Sequence, residues 1–151
     1  MSIAKDFLVE KATVSDFAEI TEVWEASVRA THHFLTEEDI CYFKPLIREQ
    51  YLFAVELYCL RNEEGRILGF LGTSEEKIEM LFIHPGGQGR GLGKALLRYA
   101  VFDLDKKWVD VNEQNEKAVG FYRHFGFRVT GRSETDSQGK PYPLLTMHYG
   151  E

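Results

Sequence analysis

The stretch Ile83-His84-Pro85-Gly86-Gly87-Gln88-Gly89-Arg90-Gly91-Leu92-Gly93-Lys94-Ala95-Leu96-Leu97 decides how this chain is read. It holds five glycines within eight residues. Residues 77–84 before it read as a strand that Pro85 ends, and Gly91 to about Asp105 reads as a helix. A glycine-rich turn between a strand and a helix start is an anion site. Unpaired backbone N–H groups point outward there, and the helix dipole adds a favourable field. Glycine lets the backbone approach phosphate oxygens and reach unusual dihedrals. A Walker A loop fails twice, because Gln88 stands five before Gly93 and Ala95 follows Lys94. The dinucleotide pattern G-x-G-x-x-G fails as well, because the third glycine would fall on Leu92 or Lys94.

Outward from the loop the pattern alternates between strands and helices. Residues 7–14 read as a first strand, with Ser15 as the cap of a helix whose Phe17, Ile20, Trp24 and Val28 share one face. Thr36-Glu37-Glu38-Asp39 resembles a capping box opening a second helix to about Glu49, with Pro45 expected to kink or split it. Residues 52–61 and 66–73 form a hairpin across Asn62-Glu63-Glu64-Gly65. After the loop come a strand at 107–112, a helix from Asn115 to Phe125 stopped by Gly126, and strands at 127–133 and 142–149. The strand-helix-strand run across 77–112 predicts two parallel neighbours. The fold class expected is α/β, of the α+β type. It is a single domain over residues 1–151, with a mixed sheet of about seven strands in the order β-α-α-β-β-β-α-β-α-β-β.

Composition bounds the function. With 151 residues the chain is one domain in size, and 44% hydrophobic with 28% charged residues describes an ordinary globule. The net charge of −6 argues against a nucleic-acid partner and weakly favours a cationic one. No apolar run is long enough to span a membrane, and MSIAKDFLVE lacks the apolar stretch of a signal peptide. Cys41 and Cys59 sit in apolar runs without a C-x-x-C pattern, so they read as reduced, buried thiols of a cytoplasmic protein. The histidines show no metal-ligand spacing, and no metal is expected.

Gln88-Gly89-Arg90-Gly91-Leu92-Gly93 matches the Gln/Arg-x-x-Gly-x-Gly/Ala loop of the GNAT N-acetyltransferases. Asn115-Glu116-Lys117-Ala118-Val119-Gly120-Phe121-Tyr122-Arg123-His124-Phe125-Gly126-Phe127 matches a second GNAT pattern at every fixed position. The element order is also the GNAT order. Residues 27–35, 111–115 and 139–145 resemble the bacterial YjaB-like subgroup.

The resemblance implies a fold, an activity and a site. The activity is acetyl transfer from acetyl-CoA to a primary amine, on a small molecule or a protein lysine, by direct attack in a ternary complex. A non-catalytic acyl-CoA-binding sensor of the same fold is the alternative. N–H groups of Gln88, Gly89, Arg90, Gly91, Leu92, Gly93 and Lys94 would hold the pyrophosphate. The backbone of Leu81, Phe82 and Ile83 would pair with the pantetheine arm as an added strand, and Asn115 would bond that arm. Lys94, Lys117 and Arg123 are either outer phosphate contacts or solvated surface charge. GNAT domains often pair, so a homodimer fits the family.

The chemistry narrows the catalytic candidates. A lysine-like amine has a pKa near 10.4, so only about one molecule in 2,500 is neutral at pH 7, worth roughly 4.6 kcal/mol. Glu79 is the first candidate base, since alternation through Leu81 and Ile83 puts it on the donor face. His32 is the second, from the segment between the first two helices. Solvated strand and turn positions are the plain alternatives for the two. Tyr122 has the motif position for protonating the departing thiolate, and a phenol stays protonated at pH 7. His84 reads as a strand-end residue, and His124 and His148 as surface or structural.

Overall fold

A computed structural model describes residues 8–33, 35–87 and 89–150. The strands are β1 (Leu8–Lys11), β2 (Glu56–Arg61), β3 (Ile67–Ser74), β4 (Lys77–Ile83), β5 (Trp108–Asn112), β6 (Phe127–Ser133) and β7 (Leu144–Tyr149). The helices are α1 (Phe17–Thr31), α2 (Glu37–Leu46), α3 (Leu92–Arg98) and α4 (Glu116–Phe125). One seven-stranded sheet runs β1-β2-β3-β4-β5-β7-β6, with β4 and β5 parallel and all other neighbours antiparallel. This is the mixed sheet and element order expected from the sequence.

Alternation along the strands feeds two cores, one on each face. On β2, Leu57 and Cys59 pack with Phe17, Ile20, Trp24 and Val28 of α1, whereas Leu60 packs with Leu92, Leu96 and Leu97 of α3. On β3, Phe70 and Leu71 divide in the same way. The helical spacing read in α1 is therefore its buried stripe.

Several boundaries move for physical reasons. The turn into α1 starts at Thr13 rather than Ser15: the Thr13 N–H donates to Asp16 Oδ2 at 2.9 Å, and Asp16 precedes the first α-helical residue. The capping box of α2 is reciprocal. The Asp39 N–H donates to Thr36 Oγ1 at 3.0 Å, and the Thr36 N–H donates to Asp39 Oδ2 at 3.2 Å. Pro45 does not split the segment. It stays helical and widens to π spacing over Ile47–Tyr51, directly after the turn in which proline withholds its N–H. Leu52–Ala54 is a 3-10 turn and not the start of β2, because buried Leu52 serves the α1–α2 core. β7 begins at Leu144, after Pro141 and Pro143.

Cys59 is buried as expected, and burial pushes its thiol up to about 11. Cys41 is exposed on α2, 3.7 Å from Glu37 Oε2, so the expectation of two buried thiols holds for one. Ile40 and Phe43 face inward at other angles of the helix, while Tyr42 is exposed like Cys41. Among the described residues, no helix is long and apolar enough to cross a membrane, and no cluster of metal-ligating side chains occurs.

Candidate active site

The site grows from one defect in the sheet. β5 pairs with β4 only at Lys77–Trp108 and Ile78–Val109, and beyond that the two parallel strands separate. The wedge between them is a slot of about 240 Å³. Leu81 and Phe82 line one side of it, Val111 and Asn112 the other, and Asn115, Phe121 and Tyr122 of the α4 segment close it. Ile83 instead turns its side chain into the core under α3.

A second irregularity sets Glu79. Across the β3–β4 ladder Gly72 faces Met80 and Thr73 faces Ile78, so Glu79 is the extra residue of a bulge. The plain alternation Glu79-Leu81-Ile83 is therefore broken. Ile78 already packs in the α3–α4 core beside Leu81 and Ile83, while Met80 and Phe82 pack toward α1 and α2. The bulge frees Glu79 from both cores. Its exposed carboxylate accepts a hydrogen bond from Ser74 Oγ and lines both the slot and a larger cleft on the opposite side.

That second cleft has a volume of about 530 Å³. α1 contributes Trp24 and Val28, the α2 segment contributes Phe43 and Ile47, and the β6–β7 connection contributes Asp136 and Tyr142. His32, Glu79, Met80, Phe82 and Asn112 border both spaces, so the slot and the cleft meet there. The β6–β7 connection is clasped to α2. The Tyr142 hydroxyl donates to Asp39 Oδ2, and Lys140 Nζ lies 4.6 Å from the centre of the Tyr42 ring.

His32 lies at the seam, and its hydrogen bonds define its protonation. Asn115 Oδ1 accepts from the Ala118 N–H at 3.1 Å as the cap of α4, so its amide nitrogen faces His32 Nε2 at 3.1 Å. An NH₂ group only donates, hence Nε2 is the accepting nitrogen. Thr31 Oγ1 donates to the Ser27 carbonyl at 2.8 Å and accepts from His32 Nδ1–H at 2.8 Å. The ring is thus neutral and carries its proton on Nδ1. Burial, followed by repulsion from His33, pushes its pKa down to about 4.

Tyr122 is buried on α4, with Phe121 and Phe127 at ring distances of 5.2 and 5.4 Å. Burial raises its phenol well above the ordinary range, so it stays protonated. In the glycine loop, Gly91 has φ +78°, and a Cβ built there meets no atom within 4 Å. The left-handed backbone requires glycine, and the space beside it is open to a ligand. Gly93 packs α3 on α4, since a Cβ there would lie 3.4 Å from Phe121 Cζ. Leu92 is buried beneath the loop and can offer only backbone to the solvent side.

The other named residues fall outside this meeting point. Gln88 lies outside the described residues. Arg90 borders a small pocket beside the β2–β3 turn, with Asn62 and Arg66. Lys94 and Lys117 are exposed and form no salt bridge among the described residues. His84 Nδ1 accepts from the Gly86 N–H at 3.0 Å and so shapes the start of the loop, while His148 lies against Trp108 at 4.2 Å. Sequence reasoning gave no role to Thr31, Met80, Asn112 or Tyr142. The segments that resemble the YjaB-like subgroup contain three of the four and were the only signal for them.

Comparison with known proteins agrees with this fold. Residues 35–147 match the family model of the acetyltransferase (GNAT) domain. The chain is 43% identical to the peptidyl-lysine N-acetyltransferase YjaB of Escherichia coli (strain K12), over 87% of this chain and 88% of that protein. The solution structure of apo YjaB from Escherichia coli superposes with a TM-score of 0.87 at 39% identity, covering 95% of this chain and 97% of that one. A PaiA N-acetyltransferase from Thermoplasma acidophilum, solved in complex with coenzyme A, shares the fold at a TM-score of 0.72 and 20% identity, over 95% and 99% of the two chains. With the split β4–β5 ladder, the glycine loop and the Asn115–Tyr122 helix in place, the chain belongs to the GNAT family of acetyl-CoA-dependent N-acetyltransferases.

Proposed function

We propose that this chain acetylates the side-chain amine of protein lysines, with Glu79 as the base and Tyr122 as the acid. The observation that carries the reading is the bulge at Glu79, whose carboxylate borders both the slot between β4 and β5 and the cleft between α1 and α2. Acetyl-CoA, lying in the slot, supplies an acyl thioester. The slot fits it: the β4 edge beyond Ile78 has no ladder partner on β5, and the left-handed Gly91 leaves open space at the start of α3. Backbone of Gly89 to Lys94 holds the pyrophosphate, and Leu81 and Phe82 align the arm.

Glu79 removes the proton from the acceptor ammonium, directly or through one water, and makes the amine nucleophilic. Tyr122, protonated and facing the slot, gives its proton to the sulfur as it departs. His32 is a weak base in this setting, because its accepting nitrogen is engaged by Asn115 and burial lowers its basicity. It holds Asn115 and the end of α1 in position. The lysine acceptor is supported by the name of the 43% identical relative. The test is a lysine-peptide panel with acetyl-CoA, read by thiol release and by mass of the acetylated peptide. Acetyl-CoA binding without acetylation of any peptide would remove the lysine assignment.

A further inference from the structure

The larger cleft asks for more than a lysine. A lysine side chain is a single unbranched four-carbon stem. The cleft holds about 530 Å³, within the roughly 300–1,000 Å³ that encloses a small-molecule ligand. Its walls include Trp24, Val28, Phe43, Ile47, Phe82 and Leu144, so a lysine stem alone would leave most of that apolar surface unfilled. The charged groups that line it are two carboxylates, Glu79 and Asp136, and neither lysine nor arginine is among the described lining residues.

A peptide main chain would bring N–H and C=O groups that need partners. Part of the polar rim is already engaged. Asp136 Oδ1 accepts from the N–H groups of Gln138 and Lys140, both at 2.9 Å. The clasp of Tyr142 to Asp39 holds this rim against α2.

We infer that the cleft admits a second class of acceptor: a small primary amine on an aromatic or branched apolar body, without a carboxylate. The inference rests on the acetyl-transfer reading of the slot and of Glu79. The amine nitrogen forms a bond to the acyl carbon and the carbon–sulfur bond breaks. The acceptor ammonium first loses one proton through Glu79 to solvent. After attack a second N–H proton leaves toward Glu79, the sulfur takes one from Tyr122, and Tyr122 regains its proton from Glu79 through water, giving the N-acetyl amine, free CoA and one released proton. The apolar body occupies the wall around Trp24 and Phe43, and the carboxylates repel an acceptor that is itself anionic.

The test uses the full chain with acetyl-CoA and four acceptors: 2-phenylethylamine, n-butylamine, phenylalanine and a lysine peptide. Product is read by mass spectrometry and kcat/KM by thiol release. The expected kcat/KM for 2-phenylethylamine exceeds that for n-butylamine by about tenfold or more, the discrimination an apolar pocket gives for added apolar groups. Phenylalanine should fall at least about tenfold below 2-phenylethylamine, since it adds a carboxylate facing Glu79 and Asp136. Ala54→Trp, at the exposed rim of the cleft, should push the phenylethylamine-to-butylamine ratio toward one. A parental ratio near one overturns the inference, whatever the fate of the variant. If the lysine peptide is still acetylated at that ratio, the lysine reading stands alone. If phenylethylamine reacts and the peptide does not, the inference stands and the lysine reading falls. If no acceptor reacts, both fall.

Discussion

The two halves of the proposed site are built from different materials. The donor side is backbone and glycine: a split between β4 and β5, a left-handed turn at Gly91, and a helix capped by Asn115. The acceptor side is a patchwork of side chains from α1, the α2 segment, β4 and the β6–β7 connection, held by pairs such as Tyr142–Asp39. Backbone geometry tolerates few residue types, whereas an apolar wall accepts any packing of the right volume. On the proposed reading the donor half is therefore fixed chemistry, and the acceptor half is where specificity would reside.

Tyr122→Phe gives the largest expected effect and tests whether the acid belongs wholly to the donor side. The ring keeps its packing on Phe121 and Phe127, so stability should change by roughly 1 kcal/mol or less. Affinity for acetyl-CoA should hold, and kcat should drop by about 10²–10⁴ with every acceptor alike. A variant that turns over at the parental rate would make this tyrosine structural and leave the mechanism without its acid.

Glu79→Gln acts at the border of the halves, so its effect should depend on the acceptor. At pH 7 the rate should fall by about 10² and recover partly at alkaline pH, where free amine is abundant. Recovery should come at lower pH for an acceptor of lower pKa. A pH–rate profile parallel to the parent's for all acceptors would take the base role from Glu79.

Gly91→Val should damage the donor side alone. A β-branched residue at φ +78° is strained by roughly 1–2 kcal/mol, and its side chain enters the space beside the loop. Losing one charge-assisted contact of about 1.5–3 kcal/mol weakens acetyl-CoA binding about 10- to 100-fold. Calorimetry is the measurement, and unchanged affinity in a folded variant would move the pyrophosphate elsewhere.

This division also explains what the sequence revealed. The loop, the Asn115–Tyr122 spacing and the strand order are legible because each depends on a backbone requirement that leaves a residue signature. The bulge at Glu79 is not. Lys77-Ile78-Glu79-Met80-Leu81 reads as plain alternation, and only the pairing with Gly72 and Thr73 shows the extra residue. The cleft was equally hidden, because Trp24, Phe43 and Tyr142 are distant in the chain and each has an ordinary packing explanation. Cys41 misled for the same reason, since apolar neighbours in sequence say little about which angle of a helix a residue takes.

His32 joins the two halves, and its expected effect is the smallest on rate and the most specific in pH. The folded ring has a pKa of about 4 against an ordinary 6.5, so between those values the unfolded chain binds the extra proton. Stability from this group is complete above pH 6.5 and is lost as pH falls toward 4. The span corresponds to at most about 3–4 kcal/mol. Glutamine can still accept from Asn115 and donate to Thr31, but it does not titrate. His32→Gln should therefore flatten the fall in unfolding free energy between pH 6.5 and 4, measured by urea titration, and leave the shape of the pH–rate profile near neutrality intact. Loss of the neutral-pH limb of that profile would instead identify the imidazole as the base. An unflattened stability curve would show that the acid sensitivity arises at other groups.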